Sequence, residues 1–158
     1  MGLTPRSLGP DDPALEDVLA LIQAGFAPME GRIDPPSSAQ GLTLAGLRAH
    51  LGQGMLWTIG APPVACALGL PKGEALYLSK ITTAPALRGR GYARQLILHA
   101  ADTARAAGLG CLELQSRVEL TDVHAAFRAM GFAECGRTAH PGYDRPTSIT
   151  FRRDLNAA

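Results

Sequence analysis

Between Ala75 and Arg117 the apolar pattern changes period twice, and this limits the fold more than any other feature of the chain. Ala75–Thr83 reads as a strand rich in apolar and β-branched residues. After Pro85 the spacing lengthens. Tyr92, Leu96, Ala100 and Ala104 recur at helical intervals, while Arg94, Gln95, Asp102 and Arg105 fall mostly on the other side, which predicts a helix over Gly91–Ala107. Gly108 and Gly110 stop it, and Cys111–Arg117 reads as a strand again. Strand, long helix, strand is a crossover, so the two strands are expected to be parallel neighbours.

The flanking segments fit around that unit. Leu3–Leu8 reads as a short first strand, and Asp12-Pro13 as the N-cap and first position of a helix carrying Leu15, Val18, Leu19, Ile22 and Phe26. Pro28–Gly41 consists of turn residues and is expected to be a loop. Thr43 is placed to cap a second helix with Leu44, Leu47 and Leu51 on one face. Met55–Ile59, Val64–Leu70 and Ala75–Thr83 are separated by the short turns Gly60–Pro63 and Pro71–Glu74, which implies antiparallel pairing. Thr121–Met130 reads as a helix ended by Gly131, with strands Phe132–Thr138 and Thr147–Asp154 after it. The order is β-α-α-β-β-β-α-β-α-β-β. The expected class is α/β (α+β), with a mixed, mostly antiparallel sheet flanked by helices and one domain over residues 1–158.

Bulk properties exclude several functions. A net charge of +1 over 158 residues recruits neither nucleic acid nor an anionic membrane. No stretch has the apolar length of a membrane span or a signal-peptide core, so a cytoplasmic location is expected. The three cysteines, Cys66, Cys111 and Cys135, are widely spaced and read as free thiols. His50, His99, His124 and His140 lack metal-ligand spacing, so no metal site is expected.

Leu87 to Arg94, with Arg88-Gly89-Arg90-Gly91-Tyr92-Ala93 at its centre, follows a strand and opens a helix. The first turn of a helix offers unpaired N–H groups and the positive end of the macrodipole, which together bind phosphate. Gly89 and Gly91 allow close backbone approach, and Arg88, Arg90 and Arg94 add charge. The run lacks the Gly-Lys-Ser/Thr ending of a Walker loop, and Arg94 occupies the third glycine position of the dinucleotide fingerprint.

Arg-x-x-Gly-x-Ala, carried by Arg88, Gly91 and Ala93, resembles the signature of the GNAT superfamily of acyl-CoA-dependent N-acyltransferases. Lys80-Ile81-Thr82-Thr83-Ala84-Pro85 before it and Phe127-Arg128-Ala129-Met130-Gly131-Phe132 after it resemble the family's flanking segments. The resemblance implies a sheet splayed between its fourth and fifth strands. Ile81, Thr82 and Thr83 would meet pantetheine and the thioester, Arg88 through Arg94 the pyrophosphate of acetyl-CoA, and Phe127 the cofactor's reactive end. It implies transfer of an acetyl group to an amine of a small molecule or peptide, by direct attack in a ternary complex. A homodimer is also common in the family.

Many family members place a tyrosine acid where this chain has Phe127, and the common asparagine near Leu120 or Asp122 is missing. Asp122 reads as an N-cap. The remaining candidates for catalysis are His124, at the start of that helix, and Tyr143 in the turn His140-Pro141-Gly142-Tyr143. Acceptor contacts are expected from Glu30, Arg32 and Asp34 in the long proline-rich loop and from Tyr77, and either Tyr77 or Glu74 on the central strand could serve as a base or base relay. An acyl-CoA-binding domain without turnover is the alternative, kept open by Phe127, and an RNA- or nucleotide-binding module using the Arg-Gly loop is a distant third.

Overall fold

The computed structural model describes residues 4–155, so the Leu3 end of the expected first strand lies outside the described residues. Its centre is one seven-stranded sheet in the order β1-β2-β3-β4-β5-β7-β6, with β1 Arg6–Ser7, β2 Met55–Ile59, β3 Ala65–Lys72, β4 Ala75–Thr83, β5 Cys111–Arg117, β6 Ala133–Thr138 and β7 Ser148–Asp154. β4 and β5 are parallel, joined by α3 (Tyr92–Ala106), and every other pair is antiparallel. β7 enters between β5 and β6 rather than adding at the edge.

Each face of the sheet buries its own apolar cluster. α1 (Leu15–Phe26) and α2 (Leu44–Leu51) set Leu15, Val18, Ile22 and Leu47 against Leu56, Cys66 and Leu68. On the other face Leu96, Ile97, Ala100 and Ala104 of α3 pack on Trp57, Leu76, Leu78, Leu112 and Phe151, with Phe127 of α4 (Thr121–Ala129) at the margin. Period-2 alternation along β2 and β3 sends neighbours to opposite faces. Burial raises the Cys66 thiol to about 12, which keeps it an inert core residue.

Several boundaries differ from expectation. α1 begins at Leu15 without a side-chain cap, because the Asp12 carboxylate accepts the Ala14 N–H at 2.9 Å and forms a turn one step earlier. Thr43 does cap α2, accepting the Gly46 N–H at 3.0 Å. β3 runs on through Pro71, which pairs with Leu76 but lies past the end of β2, where a residue without an N–H is tolerated. The turn shrinks to Gly73-Glu74, with Gly73 at φ 60°.

Candidate functional site

The site begins with a defect in the sheet. β4 pairs with β5 only from Ala75–Cys111 to Leu78–Leu114, whereas β5 continues to pair with β7 as far as Arg117–Ser148. The β5-facing edge of Ser79–Thr83 therefore has no strand partner. On its other side, Leu68 pairs with Ser79 and Cys66 with Thr82, so Lys80 and Ile81 together oppose Ala67 in a β-bulge. Lys80 takes φ 52°, a left-handed conformation costing a non-glycine residue about 1–2 kcal/mol. Two clefts open at this wedge.

The larger encloses about 990 Å³ and runs from the wedge to the N-terminus of α3. Ile81, Thr82, Thr83, Arg88, Gly89, Gly91, Tyr92, Ala93, Arg94 and Phe127 line it. Gly89 and Gly91 adopt φ 82° and 83°, and a Cβ on either would project into open space. The first intrahelical bond of α3 runs from Gln95 N–H to the Gly91 carbonyl, and no side chain caps the helix. The amides of Tyr92, Ala93 and Arg94 are thus left for a ligand. Arg88 points elsewhere than expected: its guanidinium donates to the Gly25 carbonyl at 3.2 Å and ties the loop to α1. Arg90 lies outside the lining. At Gly25 a Cβ would stand 2.2 Å from the Thr82 Cγ2, so this glycine is what lets α1 approach β4.

The smaller cleft, about 250 Å³, lies on the other side of the wedge and includes Tyr77, Lys80, Gln115, Ser116, Arg117 and His140. Phe26, Met29, Ile81, Leu120, Val123 and Phe127 line both clefts and form their common wall. Burial, reinforced by Arg117, pulls the Lys80 ammonium and the His140 imidazole below their usual ranges. Burial and then Glu113 push Tyr77 up.

The Acetyltransferase (GNAT) family model matches residues 27–132, which contain the wedge, the glycine loop and most of both clefts. The chain belongs to the GNAT family. Streptothricin acetyltransferase of Streptomyces lavendulae is 46% identical over 67 residues, covering 40% of this chain and 33% of the relative. An uncharacterised N-acetyltransferase of Bacillus subtilis, YhdJ, is 36% identical over 66 residues, 41% of this chain and 46% of the relative. The matched segment thus spans less than half the length of either curated relative. Two solved structures share the fold over nearly the whole chain. The ribosomal-protein-S18-alanine N-acetyltransferase from Escherichia coli has TM-score 0.74 and 20% identity, covering 99% of this chain and 96% of the other. PaiA N-acetyltransferase from Thermoplasma acidophilum, in complex with coenzyme A, has TM-score 0.80 and 11% identity, covering 98% and 99%.

In this GNAT protein both catalytic candidates lie outside the linings of the two clefts. His124 is 3% exposed, and its Nε2 lies 2.8 Å from the Arg117 carbonyl. It packs on Phe151 and lines neither cleft, because the second face of α4 is the one turned to the wedge. Tyr143 also lines neither cleft. Its hydroxyl donates to Asp34 Oδ1 at 2.6 Å, and that carboxylate holds it protonated with a pKa above the usual range.

Asp34 in turn is not a free acceptor contact. Arg145 donates to its Oδ2 at 3.2 Å, and its N–H donates to Glu119 at 3.1 Å. Arg32 lines the larger cleft but pairs with Asp122 at 3.3 Å. Glu30 is exposed and lines neither cleft. Asp122 lies in the first turn of α4, whose N-cap is Leu120. Its carboxyl is held low by its own backbone N–H and then by Arg32. Arg117 completes the arrangement by donating to the Pro35 and Pro36 carbonyls at 2.6 and 3.1 Å. Residues 30–38 therefore form a strap fastened to β5, α4 and the β6–β7 turn.

The sequence reading missed Lys80, Arg117 and His140. His140 had one local signal, the His-Pro-Gly-Tyr turn. Lys80 and Arg117 lie on strands where charged residues are ordinarily solvated.

Among the described residues no group of three or more His, Cys, Asp or Glu side chains could hold a metal ion, and no helix is long and apolar enough to cross a membrane.

Proposed function

We propose that this protein transfers the acetyl group of acetyl-CoA to a primary amine by direct attack in a ternary complex. The observation that carries this reading is the wall shared by the two clefts. A thioester laid along the free edge of Ile81–Thr83 would end at Ile81 and Phe127, where an amine in the smaller cleft can reach it. The relatives named acetyltransferases, and the coenzyme A complex of the fold neighbour, support the choice of acetyl-CoA.

The fit to the cofactor is local and chemical. The open space before Gly89 and Gly91 and the unpaired amides of Tyr92, Ala93 and Arg94 suit a pyrophosphate, with Arg94 adding charge. Bound acetyl-CoA supplies the activated acyl group. A backbone N–H on the free edge of β4 would stabilise the oxyanion formed on attack, worth about 3–4 kcal/mol for one donor.

The amine must arrive neutral, and for an ordinary alkylammonium of pKa about 10.4 this costs roughly 4.6 kcal/mol at pH 7. His140 is the group in the acceptor cleft suited to take that proton. Its Nδ1 meets the Thr147 hydroxyl, and its lowered pKa keeps the imidazole neutral. Phe127 has no proton to give, so the thiolate departs as the anion and is protonated by solvent.

Phe127 is also what favours the second reading, a domain that binds acyl-CoA without turnover. One experiment addresses both. Release of free thiol from acetyl-CoA is followed over a panel of amines, alongside calorimetric titration of acetyl-CoA. Turnover above spontaneous hydrolysis is expected, with binding weakened more than about tenfold by Gly91→Glu, which sets a carboxylate among the phosphates. Tight binding with no thiol release from any amine favours the second reading. Unchanged affinity in Gly91→Glu removes the cofactor assignment.

A further inference from the structure

The acceptor cleft carries cationic side chains. No Asp or Glu lines it, whereas Lys80 and Arg117 do, with His140 beside them. Eight of the fifteen Lys and Arg side chains, Arg6, Arg32, Lys72, Arg105, Arg128, Arg137, Arg145 and Arg152, each lie within 4.0 Å of a carboxylate. Lys80 and Arg117 are not among them. Lys80 Nζ donates to the Ser38 hydroxyl at 3.0 Å and stands 6.0 Å from the centre of the Phe26 ring. Arg117 donates to the two proline carbonyls of the strap.

Of the carboxylates of Asp34, Asp122, Glu113 and Glu119, three are taken by other cations. Asp34 is taken by Tyr143 and Arg145, and Asp122 by Arg32. Glu113, behind Tyr77, is taken by Lys72 at 3.3 Å and Arg152 at 2.9 Å. Glu119 accepts the Asp34 N–H through one oxygen, its Oε1 is buried without a hydrogen-bond partner, and it lines neither cleft.

Two half-buried cations side by side repel each other and lose hydration, and an anion placed between them relieves both costs. We propose that the acceptor is a small amine that also carries a carboxylate, held by Lys80 and Arg117, rather than a polyamine or other polycation. The inference rests on the acetyl-transfer reading and narrows its substrate. Ligand pockets of drug-sized molecules run from roughly 300 Å³ upward, so a cleft of about 250 Å³ suits a molecule the size of an amino acid. The same cations disfavour the ammonium form of the bound amine, so the cleft that selects the carboxylate also eases loss of the proton.

The test compares each of several amino acids with its carboxamide and its decarboxylated amine, and includes spermidine, by thiol release from acetyl-CoA. The expected result is a kcat/KM for the amino acid more than about tenfold above its carboxamide and amine. In Lys80→Met the ratio should fall towards one, with the KM for acetyl-CoA unchanged. Lys80→Arg should keep the ratio, which excludes simple misfolding as the cause. A wild-type preference for the uncharged or polycationic members overturns the proposal, as does a ratio unaltered in Lys80→Met. Absence of thiol release across the whole panel would count against acetyl transfer itself. The substrate class is then decided by calorimetric titration of the same compounds into the acetyl-CoA complex, where carboxylate-independent affinity overturns it.

Discussion

Lys80 shows how one residue can carry a site that its own chemistry does not announce. Lysine has no preference for positive φ, yet at φ 52° it turns the strand so that Ile81 faces both clefts while its ammonium reaches the strap. His140 makes a second prediction at this scale. Burial and Arg117 lower its folded pKa below the usual 6.5, so the unfolded chain binds the proton first as the pH falls. Its contribution to stability is complete above about pH 6.5 and is lost as the pH drops through the folded value. The urea midpoint of the wild type should therefore fall more between pH 7 and pH 5 than that of His140→Gln. For one half-exposed imidazole the difference should stay below about 1 kcal/mol.

At the scale of elements, the strap and the contact of α1 with β4 decide the shape of the clefts. Tyr143 fastens the strap through Asp34 and lines neither cleft. Tyr143→Phe should raise the acceptor KM several-fold with kcat and acetyl-CoA affinity nearly unchanged, measured by steady-state kinetics. A kcat loss near the 10²–10⁴-fold range of a missing general acid would return Tyr143 to catalysis. Gly25→Ala tests the approach of α1. Its Cβ would meet Thr82 Cγ2 at 2.2 Å, and the overpacking should cost about 1–3 kcal/mol in chemical denaturation. Because Arg88 holds the Gly25 carbonyl and Gly25 lines the larger cleft, the same change should also weaken acetyl-CoA binding.

For the whole molecule, the larger cleft draws lining from α1, β4, α3 and α4, which pack on opposite faces of the sheet. A ligand there links both apolar clusters and binds only the folded chain. At a hundred times its Kd, coenzyme A should add about 2.7 kcal/mol and raise Tm by about 5–10 °C in a thermal scan, and Gly91→Glu should abolish the shift.

The crossover, the element order and the glycine turn were determined by the sequence itself, because they rest on local period and turn chemistry. Leu96, Ala100 and Ala104 form the buried face of α3 that their spacing predicts, and a Cβ on Gly89 or Gly91 would meet nothing within 4 Å. The splay between β4 and β5 was legible only as the implication of a resemblance, since Ser79–Thr83 reads as ordinary strand. What tertiary structure alone decided is non-local. It placed β7 between β5 and β6, and His124 inward because α4 turns its other face to the wedge. It also brought Asp34 to Tyr143 across 109 positions of chain. Which cations stay unpaired depends on which carboxylates arrive nearby, and that is set by packing, not by neighbours in sequence.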